Sequence, residues 1–228
     1  MLVTVSWVFI VLGIITALTI TASVTRNPQP MKVMNVTWPV SGLYLPVVGW
    51  WIYKRLGQHG HHHHEHSHQN SHSHHHDHGN KPFWQSVFVS TSHCGGGCVL
   101  GDSVAAPLMS LLGATLFGSA LVGHFAGEFF AAYAFGILFQ LLPILSMGND
   151  SWLTALKNAV KADTLSLVAF EIGMFGWMTI AAFLWLGMEP RVDTPQFWFM
   201  MQIAMVLGFA TAYPANWWLV RRGIKHAM

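Results

Sequence analysis

Six long, predominantly apolar runs limit the folds that are open to this chain. They cover residues 2–24, 36–53, 103–122, 126–147, 164–187 and 196–220. Each run is near the twenty residues that a helix needs to cross about 30 Å of hydrocarbon. Only 9% of the residues are charged, against about 25% in soluble domains. The sequence therefore predicts an all-α integral membrane protein with about six transmembrane helices in a bundle. The first run lacks a preceding basic segment, so we expect a retained helix and not a signal peptide.

Basic residues gather on one side of this predicted arrangement. Because basic loops close to helix ends stay in the cytoplasm, their distribution sets the orientation. Both the N and C termini are therefore predicted to be cytoplasmic. In that orientation the cytoplasmic loops hold Lys54, Arg55, Lys81, Lys157, Lys161, Arg221, Arg222 and Lys225, and the outer loops hold Arg26, Lys32 and Arg191. Tryptophan pairs precede the cations at the ends of the second and sixth runs, as in interfacial aromatic belts. The net charge of +2 does not indicate nucleic acid binding.

Residues 57–80 separate two membrane regions and contain 12 of the 15 histidines but no apolar side chain. Such a segment cannot bury enough surface to order itself, so we expect a disordered, His-rich cytoplasmic loop. Neutral imidazole binds zinc and copper, and a flexible run of imidazoles favours capture over one fixed site. A spacer whose histidines only titrate is the alternative. The candidate loop ligands are His61, His62, His63, His64, His66, His74, His75 and His76. The predicted regions are a helical hairpin at 1–56, this loop, and a four-helix membrane domain at 81–228.

The only two cysteines, Cys94 and Cys98, flank three glycines at the predicted cytoplasmic entrance of the third helix. A reducing compartment argues against a permanent disulfide. The glycines indicate a tight turn that brings both thiolates onto one ion, either Cu(I) or, with His93 or Asp102 added, Zn(II). A redox dithiol and a purely structural turn remain open. Asp102 is also a candidate N-cap for a helix that begins at Ser103.

Ionisable residues inside the predicted spans are further candidates, because a charge at mid-span costs about 2.5 to 3.5 kcal/mol. Glu171 lies well inside the fifth run, and Asp163 lies at its start as a ligand or a cap. His124 and Glu128 are four residues apart, so they share a helix face on which they can hold a metal or a proton, or form a hydrogen bond. The methionines beyond Glu171 at helical spacing provide packing or thioether ligands for Cu(I); they are Met174 and Met178. If these residues face inward, they form a ladder for a cation.

Four segments together resemble a known family. They are HC-x3-C-x2-GD at 93–102, AFGILFQ at 134–140, ADTLSLVAFEIGM at 162–174, and the tail 197–228. They resemble the bacterial and archaeal membrane proteins grouped as "domain of unknown function 4396", over residues 81–228. The resemblance implies a multi-helix domain in the cytoplasmic membrane of a prokaryote, with the thiol motif, Asp163, Glu171 and the 213–218 region as hallmarks. It implies no activity.

The leading hypothesis is a multi-pass membrane protein that binds and transports a soft or borderline transition-metal cation, Cu(I) or Zn(II). Its partners would be the lipid bilayer and metal ions. A membrane thiol–disulfide oxidoreductase that uses Cys94 and Cys98 is the first alternative, and a membrane metalloenzyme is the second. No nucleotide-binding or hydrolase motif occurs in the sequence, so ATP-driven pumping has no support and the balance is against an enzyme. A homo-oligomer is compatible with the sequence.

Overall fold

The structure, a computed structural model, describes residues 1–29, 31–57, 82–147, 152–187 and 191–225. Its elements are α1 (Leu2–Arg26), α2 (Met34–Tyr44), α3 (Val48–Ile52) with a π-helical turn (Tyr53–Gly57), α4 (Phe83–Leu112), α5 (Ala120–Met147), α6 (Trp152–Ala181) with a π-helical end (Ala182–Leu186), and α7 (Pro195–Arg221). Five of these helices, α1, α4, α5, α6 and α7, are long and apolar enough to span a membrane. The predicted all-α membrane class is confirmed at this level, and a count of six spans stays a prediction.

The second predicted span, 36–53, is not a single helix. The residue before a proline is pushed out of the helical region, and Leu45, which precedes Pro46, has φ −119° and ψ 71°. Val47 then has a positive φ of 63°, which is strained for a β-branched residue. Its backbone N–H donates to Thr16 Oγ1 of α1 at 3.0 Å. The span is therefore divided into α2 and α3, and α1 provides a hydrogen bond at the break.

α4 begins at Phe83, twenty residues before the predicted start at Ser103. The predicted glycine turn is therefore wrong, and Asp102 lies inside the helix instead of capping it. The glycines are close to neighbouring helices. A Cβ atom on Gly96 would lie 3.0 Å from Thr37 Cγ2 of α2, and one on Gly97 would lie 2.8 Å from Gly136 Cα of α5. Small residues let helices approach closely in a bilayer, and here this packing prevails over the low helix propensity of glycine.

α6 also begins earlier than predicted. The apolar run 164–187 predicts a helix that begins near residue 164, but α6 runs without interruption from Trp152. Asp163 therefore lies about three turns inside a helix, and its predicted role as a cap is wrong. In this first stretch of α6, Trp152 and Leu153 are exposed, whereas Ala159 is buried against Leu141 of α5.

The helices α4 to α7 form the core of the bundle. α4 packs against α5 and α7, and α6 packs against the same two helices, while α1 lies against α2 and α7. Gln202 Nε2 of α7 donates to the Leu43 carbonyl oxygen of α2 at 2.7 Å, which attaches the N-terminal helices to the core. We name the two ends of the bundle by single residues. The Lys225 end holds the start of α4 and the end of α7, where Phe83 packs against Trp217. The Gly187 end holds the loop 113–119, Gly187 and residues 191–194.

Cation–aromatic contacts follow the two predicted aromatic belts. Arg55 lies 4.2 Å from the ring centroid of Trp51, and Arg222 lies 5.2 Å from that of Trp218. Tyr53 is packed in the same cluster as Val89, which lies in the first turns of α4. Both belts are therefore at the Lys225 end, where long basic side chains can reach an interface.

The two termini lie at opposite ends of the bundle. Phe9, near the start of α1, packs against Phe199 at the start of α7, so α1 begins at the Gly187 end. Tyr53 donates a hydrogen bond to Ser23 near the end of α1, so α1 ends at the Lys225 end, where the C-terminal segment also lies. The prediction that both termini are cytoplasmic is therefore wrong.

Candidate functional site

A continuous line of buried polar side chains begins at the Lys225 end. Lys225 Nζ donates to Asp163 Oδ1 of α6 at 2.6 Å and to Asn216 Oδ1 of α7 at 2.9 Å. Asn216 Nδ2 donates to Ser166 Oγ at 2.5 Å. Ser166 Oγ in turn donates to Cys94 Sγ at 3.3 Å. All five side chains are buried, so this network joins α6, α7 and the C-terminal segment to the thiol of α4.

The charge on Lys225 is compensated inside the protein. Burial by itself lowers the pKa of this ammonium, but the adjacent Asp163 carboxylate raises it, and the net pKa of Lys225 lies above its ordinary value. A buried charge persists when a partner charge and hydrogen bonds replace its water. The Lys225–Asp163 pair is therefore a closed ion pair, with both side chains fully buried.

The two thiols lie side by side in the middle of α4. Cys94 and Cys98 are 1% and 0% exposed, and no disulfide joins them. Their four-residue spacing in a continuous helix places both on one face. Cys98 lies within interaction range of both Cys94 and Glu171 of α6. The structure therefore brings together the thiols and the carboxylate that the sequence singled out.

Two carboxylates in the centre of the bundle lack compensation. Asp102 is fully buried and Glu171 is 2% exposed. None of their four carboxyl oxygens has a hydrogen-bond partner among the described residues. The two groups are near enough to interact electrostatically. Because an isolated ionised carboxylate is strongly disfavoured in a low-dielectric interior, these groups must hold either protons or a cation.

The line continues towards the Gly187 end through Glu128 and His124 of α5. Glu128 interacts electrostatically with Glu171, and Glu128 Oε1 lies 4.0 Å from His124 Nδ1. This distance is too long for a hydrogen bond, so the predicted His–Glu hydrogen bond is not formed. We call the whole line the polar track: Lys225, Asp163, Asn216, Ser166, Cys94, Cys98, Glu171, Asp102, Glu128 and His124.

His93 lies beside the track and faces α5. Its Nε2 atom is 3.1 Å from the Phe139 carbonyl oxygen, and its buried Nδ1 atom has no partner among the described residues. Across those same ranges, no three side chains of His, Cys, Asp or Glu converge on one metal position. The predicted ligands are therefore spaced along the track. The loop ligands at 61–76 lie outside the described residues.

Sequence reasoning missed three members of the track, Lys225, Asn216 and Ser166. Lys225 was counted among the cytoplasmic loop cations, because nothing in its sequence neighbourhood shows that the chain turns back at Gly223, where φ is +67°. Asn216 does leave a signal, since a lone amide in a membrane helix needs a partner. Ser166 leaves none, because a serine in such a helix can bond to its own backbone.

The fold and the polar track define a class, a helical integral membrane protein with ionisable groups inside its bundle. Within that class, the chain belongs to the family described as "Domain of unknown function (DUF4396)", whose model matches residues 83–225. The match runs from the start of α4 to Lys225, so it contains the whole track, and it confirms the resemblance drawn from the sequence. Comparisons with curated proteins and with solved structures find no match.

Proposed function

We propose that the protein carries a transition-metal cation, Cu(I) or Zn(II), across a membrane along the polar track. One observation carries the proposal: the uncompensated carboxylates of Asp102 and Glu171 lie next to a pair of thiols in the middle of the bundle. Thiolates are ligands for Cu(I) and zinc, and carboxylates can bind zinc. A cation that passes through the bundle meets these groups in turn. Buried ionisable residues in membrane helices commonly mark ion paths.

The proposed route has a closed end and an open end. At the Lys225 end, the ammonium of Lys225 already neutralises Asp163. Cargo therefore enters there only when this pair opens. Beyond it, the thiols and Glu171 accept the ion, and Glu128 with His124 receives it near the Gly187 end. A proton on Glu171 or Asp102 leaves when the cation arrives, because both cannot occupy one carboxylate.

The proposed setting follows the distribution of basic residues. The Lys225 end faces the cytoplasm of a prokaryotic cell, and the His-rich loop lies on that side, where its imidazoles collect ions for the track. The thiol–disulfide alternative needs a partner sulfur to reach Cys94 or Cys98. Their burial speaks against such exchange, because attack requires access to the sulfur.

Uptake into proteoliposomes tests the proposal. The protein, with its twelve loop histidines replaced by serine to remove background binding, is placed in vesicles that enclose a metal-sensitive dye. Ag⁺, as a redox-inert stand-in for Cu(I), and Zn²⁺ are then added outside in separate runs. We expect dye signal with the parent protein, at least a tenfold slower rate with Glu171→Gln, and no signal above empty vesicles with Cys94→Ser/Cys98→Ser.

Asp193→Asn is the matched control for the acid-to-amide change. Asp193 lies in the loop at the Gly187 end, where its side chain is 70% exposed, so this variant should transport at the parent rate. If Glu171→Gln transports as fast as Asp193→Asn, or if the cysteine variant retains full uptake of both metals, the proposal is wrong.

A further inference from the structure

A small pocket lies at the Gly187 end of the bundle. It is enclosed by the first turns of α5, the last turns of α6 with its π-helical end, and the start of α7. Its free space is that of a single ion or water molecule and not that of an organic molecule. Most of its wall is apolar, with Leu121, Phe125 and Phe197 among the lining residues. A polar donor in this wall is therefore poorly solvated and needs a ligand.

Three donor side chains of different chemistry line this pocket. His124 and Glu128 come from one face of α5, and Met178 comes from α6. His124 is 4% and Met178 is 3% exposed. The Nδ1 atom of His124 is buried and has no hydrogen-bond partner within the described ranges. The residues that line the pocket therefore include an imidazole, a carboxylate and a thioether side chain.

The spacing of His124 and Glu128 fits one ion between them. His124 Nδ1 and Glu128 Oε1 are 4.0 Å apart. Metal–nitrogen and metal–oxygen bonds of about 2.0 to 2.2 Å allow both atoms to bind one ion, at an angle wider than tetrahedral. A wide angle suits the linear or trigonal coordination of a soft monovalent ion, and a thioether selects the same class of ion.

We propose that His124, Glu128 and Met178 form a second cation site, for a soft monovalent ion such as Cu(I), separate from the thiols. The role of this site as the last cation site along the track rests on the proposed function. Glu128 connects it to the centre, because this carboxylate interacts electrostatically with Glu171. Binding of an ion to this site can be tested without measuring transport.

The test counts Ag⁺ ions bound to the purified full-length chain that carries serine at the twelve loop positions. Protein is equilibrated with Ag⁺, passed through a desalting column and analysed for silver and sulfur. We expect two ions per chain. Met178→Leu and His124→Gln should each remove one ion, or weaken its binding at least tenfold in a competition titration.

Met174→Leu is the matched control for the methionine change. Met174 lies one turn before Met178 on α6 and is also buried, but it does not line the pocket. Both changes keep an apolar side chain of similar volume, which a core tolerates well. The two variants therefore differ mainly in whether the lost sulfur belongs to a residue that lines the pocket.

The outcomes separate this site from the proposed function. Cys94→Ser/Cys98→Ser should remove one ion and leave the ion that depends on Met178. If the cysteine variant loses nothing while Met178→Leu still loses one ion, the pocket site stands and the transport proposal loses its central step. If Met178→Leu and His124→Gln both bind as much Ag⁺ as Met174→Leu, the pocket site is wrong whatever the thiols do. A circular dichroism spectrum matching that of the parent establishes that each variant is folded.

Discussion

The two halves of the polar track treat their buried charges differently. At the Lys225 end, an ammonium, a carboxylate, an amide and a hydroxyl satisfy one another at 2.5 to 2.9 Å. In the centre, Asp102 and Glu171 are equally buried, yet their oxygens have no partner among the described residues. Asp163 and Glu171 both belong to α6 and both are buried, so the difference between the halves does not come from depth of burial. It comes from the neighbouring residues, because Lys225 of the C-terminal segment contacts Asp163 and no such cation contacts Glu171 among the described residues.

This contrast distinguishes a paired carboxylate, which holds the fold together, from carboxylates without a partner among the described residues. A closed ion pair holds elements together, and here it leaves Asp163 Oδ2 as the one oxygen of the pair without a hydrogen-bond partner among the described residues. Its charge is nevertheless neutralised by Lys225. An uncompensated carboxylate lowers stability, so a native protein retains it where a proton or a cation is to be bound. Removing charge should therefore have opposite consequences in the two halves, and the first and third predictions below test this directly.

The largest expected effect comes from breaking the closed end. Lys225→Met or Asp163→Asn leaves its partner buried and unpaired, which typically lowers the free energy of unfolding by about 3 to 5 kcal/mol. The measurement is a denaturant titration of the protein in detergent micelles. The double variant should lose clearly less than the sum of the single losses, because it buries no orphan charge. Additive losses would mean that the two groups do not interact.

A smaller loss of stability should come from disturbing the close contact between α4 and α5, the helices that carry Asp102 and Glu128 of the track. A Cβ atom at Gly101 of α4 would lie 2.5 Å from Ala132 Cα of α5. Gly101→Ala must therefore push these helices apart, at a cost of about 1 to 3 kcal/mol. Gly176→Ala is the matched control, since nothing lies within 4 Å of its added atom. Equal stability of the two variants, measured by thermal unfolding in detergent, would contradict the close approach of α4 and α5.

Sequence reasoning located the buried ionisable residues and thiols more readily than the helix boundaries. Hydrophobic runs indicated α1, α5 and α7 almost in full. They missed the first twenty residues of α4, because serine, threonine and glycine between 90 and 97 read as a polar loop. In the folded bundle those small residues are covered by α2, α5 and α6. A pattern of apolar residues cannot show this, since the contacts that make a glycine favourable belong to other helices.

The candidate site was predicted only in part for a similar reason. Glu171, Asp102 and the cysteines stand out because ionisable groups and thiols are rare in membrane helices. Whether a carboxylate is neutralised by a cation depends on contacts with residues that are distant in the sequence. Lys225 lies 62 residues from Asp163 along the chain. The sequence around Lys225 gives no sign that it pairs with Asp163, and the reverse is also true. The division into a closed and an open half is therefore visible only in three dimensions.

The third prediction concerns Glu171, the acid in the open half. Glu171→Gln replaces a buried carboxyl group whose oxygens have no hydrogen-bond partner among the described residues, so the free energy of unfolding should stay the same or rise by less than about 1 kcal/mol. Asp163→Asn makes the same chemical change in the same helix, eight residues earlier, and should be strongly destabilising. A loss of stability in Glu171→Gln as large as that in Asp163→Asn would show that Glu171 is compensated in the folded protein, and the contrast between the halves would fail.

The smallest expected effect is the pH dependence of the closed end. Because the pKa of Lys225 is raised in the folded protein, its stabilising contribution is complete below the ordinary lysine pKa of about 10.4. That contribution is lost as the pH rises through the higher pKa of the folded state. The stability difference between the parent and Lys225→Met should therefore be constant from about pH 6 to about pH 9 and shrink above about pH 10.4. Lys54→Met, which removes the ammonium of an exposed lysine over Trp50, is the matched control for the loss of a lysine. A difference that already shrinks near neutral pH would mean that Lys225 is not held as a buried cation by Asp163.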